Sequence, residues 1–205
     1  MSLVFYYAPM SSAFTIHWAL EELKVPYEKV KIDLQAGDQR KPAFLALNPN
    51  GKVPTLVHDG TPIFESVAIM IHLGETFGTE RGLFPAPGLV RAEALKWLVW
   101  CNVSLGEALS RFQHNSADRI PKERHNAKAA EAAKADVETH LGILDKALQG
   151  KKHLVGDAFS LAEVHVAGWA WYLNMLGFEA KRWPAIEAWL KPILERPAFK
   201  TISQG

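Results

Sequence analysis

Apolar and polar positions follow two different rhythms along this chain, and the change of rhythm divides it. Leu3-Val-Phe-Tyr-Tyr7 is an unbroken β-prone run closed by Ala8-Pro9, which predicts a buried central strand. From Ser12 the apolar residues return at helical spacing, at Phe14, Ile16, Ala19, Leu20 and Leu23, with Glu21, Glu22 and Lys24 on the polar side. Tyr27 to Ile32 alternates and predicts a second strand, parallel to the first through a right-handed crossover. Residues 33–47 are polar, with a short helix expected around Ala43 to Leu47. Asn48-Pro49-Asn50-Gly51 is turn chemistry, and Thr55-Leu56-Val57, His58-Asp59-Gly60-Thr61 and Pro62-Ile63-Phe64 read as strand, tight turn and strand. Glu65-Ser66 then opens a helix, expected to reach Gly78, with Val67, Met70 and Ile71 on its apolar side.

Thr79 to Leu89 is rich in proline and glycine and reads as a linker; beyond it the strand signals vanish. Helical periodicity runs over Val90 to His114, Pro121 to Leu148, Leu161 to Met175 and Pro184 to Glu195, followed by a short terminal segment. Ser160-Leu-Ala-Glu163 is a capping-box pattern ahead of the third of these helices. The expectation is an α/β domain over residues 1–78, a linker over 79–88 and an all-α domain over 89–205.

Composition changes this picture mainly by exclusion. A formal net charge of +1 over 205 residues gives no electrostatic footprint for nucleic acid or an anionic membrane. The N-terminal stretch has no basic segment before a long apolar run, and no window approaches the ~18 uninterrupted apolar residues of a membrane span. Cys101 is the only cysteine, so no intrachain disulfide forms and a reducing cytoplasm is the expected compartment. The histidines are scattered without a His-x-x-x-His pair, and no metal is expected.

Two features of residues 48–67 carry chemistry. Pro54 cannot donate to a sheet ladder, and a cis Val53-Pro54 bond would turn the Val53 backbone outward, where an extended peptide can pair with it. The helix opening at Glu65-Ser66 offers unpaired N–H groups and a partial positive charge, which suit a carboxylate. Together they offer what a small acidic peptide needs.

Asn-Pro-x-Gly-x-Val-Pro-x-Leu, a short hairpin and Glu-Ser at a helix start closely resemble the glutathione-binding half of the cytosolic glutathione transferases. The resemblance implies a thioredoxin-like α/β N-terminal domain with Pro54 in cis, followed by an all-α helical domain, in a homodimer. It implies glutathione as co-substrate, with the Val53 backbone paired to its cysteinyl part, Glu65 facing its ammonium and Ser66 its γ-glutamyl carboxylate. Lys52, and after it Lys41, are the candidates for the glycyl carboxylate. Ser160-x-x-Glu163 falls where the family carries a capping motif important for folding, here with Glu in place of Asp.

A transferase of this kind must hold the glutathione thiol as a thiolate. Lowering a thiol pKa by about two units takes roughly 2.7 kcal/mol, within reach of one hydroxyl donor plus a helix N-terminus. Tyr6, Tyr7, Ser11 and Ser12 lie between the first strand and helix, and the serines are better placed than the tyrosines. Tyr7-Ala-Pro-Met-Ser-Ser and His17-Trp-Ala-Leu-Glu-Glu resemble the bacterial beta class, whose cysteine would fall at Ser12; alignment with the theta and delta classes puts the catalytic serine at Ser11. Ser11 is the first choice and Ser12 the second, with Tyr7 left open. Without that cysteine, glutaredoxin-like disulfide exchange is disfavoured, and the zeta-class Ser-Ser-Cys-Ser-x-Arg signature is missing too. A small hydrophobic electrophile would meet Trp97, Trp100, Cys101, Ser104, Leu105 and Arg111 on the first helix of the second domain. The rival readings are a non-catalytic binding protein of the same fold and another glutathione-dependent enzyme, an isomerase or dehalogenase.

Overall fold

The computed structural model describes residues 1–203. Its sheet is built around β1 (Leu3–Tyr7), the most apolar of the strands. α1 (Ala13–Leu23) carries the chain back so that β2 (Glu28–Lys31) lies parallel to β1, with Phe5 opposite Lys29. On its other side β1 meets β3 (Thr55–His58) antiparallel, Phe5 opposite Leu56, and β3 pairs with β4 (Thr61–Phe64), giving the order β2-β1-β3-β4. The β3–β4 turn is Asp59-Gly60 with both residues at positive φ, as a two-residue hairpin turn demands. Ala13, Ile16, Ala19, Leu20 and Leu23 of α1 are buried; the helix ends at Lys24, whose N–H bonds the Leu20 carbonyl with φ at +52°.

α2 (Pro42–Leu45) is a single turn begun by a proline at its N-terminus, and α3 (Ser66–Leu73) follows β4. The helix expected to run regularly to Gly78 widens instead into a π turn over Gly74–Gly78. Phe84 packs on this turn: a Cβ on Gly74 would sit 2.5 Å from its ring, so only glycine lets this buried ring lie on the backbone. The proline- and glycine-rich stretch is consequently pinned. Arg91 donates to the Pro85 carbonyl (2.7 Å) and Glu75 (3.0 Å), and the Leu161 N–H takes the Leu83 carbonyl at 2.8 Å.

The second half is helical. α4 (Leu89–Trp100) passes through a π turn, Cys101–Leu105, into α5 (Gly106–Ser116). α6 (Ala127–Leu148) begins later than the sequence suggests, because residues from Pro121 form a 3₁₀ turn at Lys122–Arg124 and Asn126 caps the helix, its Oδ1 accepting the Ala129 N–H at 3.0 Å. α7 (Leu161–Met175) is buried nearly all round and forms the axis of this half, followed by α8 (Pro184–Leu194) and α9 (Pro197–Ser203). At the start of α7 the fully buried Glu163 carboxylate accepts from the Ser160 N–H (3.1 Å), the Leu154 N–H (3.0 Å) and Trp189 Nε1 (3.0 Å). The glutamate half of the capping pattern therefore also joins α7 to α8.

The α/β and helical halves share one apolar core, which includes Phe5 and Trp18 from the first half and Leu98, Leu173 and Phe199 from the second. Arg196 adds a bidentate pair to Glu22 of α1, at 2.6 and 2.7 Å. A thioredoxin-like sheet domain followed by an all-helical one is the architecture that the sequence predicts.

Candidate active site

The loop before β3 is set by Asn48. Its buried amide donates to the Lys52 carbonyl (2.8 Å) and to Thr55 Oγ1 (3.0 Å), while its Oδ1 accepts the Asn50 N–H (3.0 Å). The Val53–Pro54 bond that follows is cis. This loop faces the N-terminus of α1, where the Ser12 hydroxyl donates to the Val53 carbonyl at 3.4 Å.

The two serines differ. Ser11 Oγ donates to the Ala8 carbonyl at 2.7 Å and accepts the Ala13 N–H at 3.2 Å, so its proton is committed to the backbone and it acts as a helix cap. Ser12 is exposed, and its one bond, to Val53, is long. Of the two serines that the sequence offers, Ser12 holds the freer hydroxyl. Tyr7 stacks on Phe5 (5.6 Å between ring centroids) and Tyr6 packs against Phe44 (5.8 Å), each within the sheet domain.

Glu65 stands at the entrance to α3 with φ +69° and ψ 118°, a conformation that costs a non-glycine residue energy and recurs at ligand sites. Its side chain is exposed, whereas Ser66 is buried. Ser66 Oγ accepts from Asn102 Nδ2 at 2.9 Å, and Asn102 Oδ1 lies 2.8 Å from His165 Nε2. His165 is fully buried, and loss of solvation pushes its pKa down to about 3, so the ring is neutral near pH 7. Nε2 therefore carries the proton and donates to Asn102. The relay runs one way, His165 to Asn102 to Ser66, and leaves the Ser66 proton free to donate outward.

Between the two halves lies a cavity of about 440 Å³. Met10, Ser11, Ser12 and Phe14 line it from the first half; Leu109, Gln113, Arg119, Trp169, Trp171 and Tyr172 line it from the second. Phe14 stacks on Trp171 at 4.6 Å. Gly168 lets α1 and α7 touch, since a Cβ there would lie 2.6 Å from Thr15 Cγ2. One α5 face supplies Gly106, Leu109, Ser110 and Gln113 at helical spacing.

None of Trp97, Trp100, Cys101, Ser104 and Arg111, the wall expected from the sequence, lines this cavity. Trp97 is buried beside Trp100 (5.0 Å), whose ring meets His140 of α6 at 5.8 Å. Cys101 is fully buried, and desolvation pushes its thiol pKa well up. Ser104 is half-buried on the π turn, and Arg111 is held by Glu107 (2.7 Å) and Asp136 (2.8 Å). Lys52 is exposed, and Lys41 pairs with Asp38 at 2.6 Å.

Comparison with known proteins places this arrangement. Residues 1–75 match the family model for the glutathione S-transferase N-terminal domain, and residues 108–197 that for the C-terminal domain. The chain is 32% identical over 185 residues to Glutathione S-transferase GstB of Escherichia coli K12, covering 89% of this chain and 88% of that protein. It is 31% identical over 204 residues to Disulfide-bond oxidoreductase YfcG of the same strain, covering 94% and 90%. A crystal structure of a glutathione transferase from Burkholderia graminis, with two glutathione molecules bound per subunit, matches with a TM-score of 0.87 at 26% identity, over 98% of this chain and 87% of that one. The chain belongs to the glutathione S-transferase family.

Proposed function

We propose that this protein is a glutathione transferase that binds glutathione, holds its thiol as the thiolate and transfers it to a small hydrophobic electrophile. Residues 1–78 form the glutathione-binding domain, 79–88 the connection, and 89–205, the last two of which lie outside the described residues, the domain that completes the electrophile pocket. The Val53 backbone pairs with the cysteinyl part of glutathione. Glu65 faces the ammonium, the Ser66 hydroxyl donates to the γ-glutamyl carboxylate, and Lys52 serves the glycyl end. One observation carries the reading: the Ser12 hydroxyl, held only by its long bond to the Val53 carbonyl, lines the apolar cavity, so a sulfur held at Val53 faces both.

Ser12 donates its proton in a hydrogen bond to the sulfur, worth about 1.5–3 kcal/mol when the acceptor is charged. The α1 N-terminus adds about 0.3–1 kcal/mol. In the transfer the thiol proton goes to solvent, the C–S bond forms, and a halide leaves, an epoxide opens or an activated double bond takes up the charge; with a hydroperoxide the sulfur takes the distal oxygen as the O–O bond breaks and the alcohol leaves, and a second glutathione turns the resulting sulfenic acid into glutathione disulfide and water.

A homodimer in the cytoplasm, serving detoxification, completes the proposal. Val99 and Val103 support the dimer: they are 48% and 65% exposed, one helical turn apart on the outer side of α4 and its π turn. YfcG supplies the second reading, a glutathione-dependent disulfide exchange. The buried thiol of Cys101 takes no part in it: such an exchange runs through the bound glutathione thiolate, which attacks one disulfide sulfur while the other leaves as a thiolate.

Conjugation kinetics of Ser12→Ala and Ser11→Ala test the assignment. Ser12→Ala should slow turnover at least tenfold, about 1.4 kcal/mol, with glutathione affinity largely kept. An unchanged rate in Ser12→Ala would refute the role of that hydroxyl.

A further inference from the structure

We infer that the preferred second substrate is an aromatic electrophile carrying an anionic or hydrogen-bond-accepting group away from its reacting carbon, held by Arg119 and Tyr172. This deepens the glutathione transferase reading and rests on it. Phe14, Leu109, Trp169 and Trp171 give the cavity flat apolar walls, and 440 Å³ accommodates a ring with its substituents. The polar side chains on the far domain are not arranged neutrally. Arg119 Nη2 donates to Gln113 Oε1 at 3.3 Å, and Gln113 Nε2 donates to the Tyr172 hydroxyl at 2.8 Å.

Arginine has no acceptor, so its contact fixes which way the Gln113 amide points. Gln113 in turn occupies the Tyr172 oxygen as an acceptor and leaves the phenol proton unspent. The chain therefore ends in a donor. Arg119 is also the only charged side chain lining the cavity, and it forms no ion pair among the described residues. A cavity with a spare O–H, an uncompensated guanidinium and no carboxylate selects for acceptors, and for negative charge most of all. With a benzylic halide bearing a carboxylate, the thiolate sulfur attacks the CH₂ carbon, the C–S bond forms as the carbon–halogen bond breaks, and halide leaves. The carboxylate stays with Arg119 throughout.

The test is calorimetric titration with S-(4-carboxybenzyl)glutathione, S-benzylglutathione and glutathione itself, on the wild type and on Arg119→Ala, Arg119→Lys and Tyr172→Phe, each checked for folding by thermal melt. The wild type should bind the carboxylated conjugate about tenfold more tightly than the neutral one. Arg119→Ala should bring that ratio close to one, Arg119→Lys should keep part of it, and Tyr172→Phe should lower it. Equal affinities in the wild type, or an undiminished ratio in Arg119→Ala, overturn the inference while glutathione binding stands. Failure of glutathione to bind overturns the transferase reading, and the inference with it.

Discussion

Asn102→Ala tests how the helical half governs the glutathione site. The substitution removes both bonds of the relay: the Nδ2 donation to Ser66 Oγ at 2.9 Å and the acceptance of His165 Nε2–H at 2.8 Å. His165 is completely enclosed, so its donor cannot turn to water instead. An orphaned buried donor costs about 1–3 kcal/mol and a lost neutral bond about 1 kcal/mol, so the fold should lose about 2–4 kcal/mol. The Ser66 hydroxyl, no longer held with its proton outward, should bind the γ-glutamyl carboxylate about 1 kcal/mol less well, roughly fivefold in affinity. Asn102→Asp separates the two effects. Its carboxylate still accepts from His165 but also draws in the Ser66 proton, so it should keep more stability than Ala and lose more glutathione affinity. Urea denaturation gives the first quantity. Calorimetry with glutathione, and with the analogue lacking the γ-glutamyl α-carboxylate, gives the second. The wild type should discriminate between these ligands and Asn102→Ala should do so less. Equal discrimination in both proteins would refute the relay as a positioning device.

Three further outcomes follow from buried groups. His165 has a folded-state pKa near 3, below the ordinary value of about 6.5 of the unfolded chain, so its contribution is fully present above about pH 6.5 and lost as pH falls toward 3. The slope reaches about 1.4 kcal/mol per pH unit, and His17 and His72, partly exposed and lowered mainly by burial, act weakly in the same direction; urea midpoints that do not fall between pH 7 and pH 5 would contradict this. Cys101, enclosed and with its thiol pKa raised, should resist iodoacetamide in the native protein and react only on unfolding, as mass spectrometry can establish. Gly168→Ala should cost about 1–3 kcal/mol by forcing a methyl against Thr15, and should also change the cavity; a thermal midpoint equal to the wild type would show that α1 and α7 can part freely.

What the sequence announces best is what depends on neighbours in the chain. Asp59-Gly60 between two short apolar runs makes its hairpin by local turn chemistry, and the helix starting at Ser66 follows from the same stretch. The start of α6 misleads because Pro121 suits a helix opening, while Asn126, a better cap, waits a few residues on. That the expected wall on α4 does not line the cavity has a geometric reason. Trp97 and Trp100 draw attention to α4, but the π turn at Cys101–Leu105 inserts an extra residue and rotates α5 by about 100° against a regular helix. The lining face of α5, Gly106-Leu109-Ser110-Gln113, is inconspicuous, and the aromatics of α7 look like ordinary core. Nor can the chain order show that the Ser11 proton is taken by the Ala8 carbonyl, which leaves the Ser12 hydroxyl the less tightly held of the two. One signal was available for the relay: Asn102 and His165 are polar residues within strongly apolar helical runs, and such residues find each other when buried.

Ultraviolet difference absorbance of bound glutathione shows whether this site makes a thiolate at neutral pH. The wild type, saturated with glutathione at pH 7, should show the thiolate band, and Ser12→Ala should bind glutathione with the band much reduced. A wild-type complex that binds glutathione without any thiolate band would contradict the account.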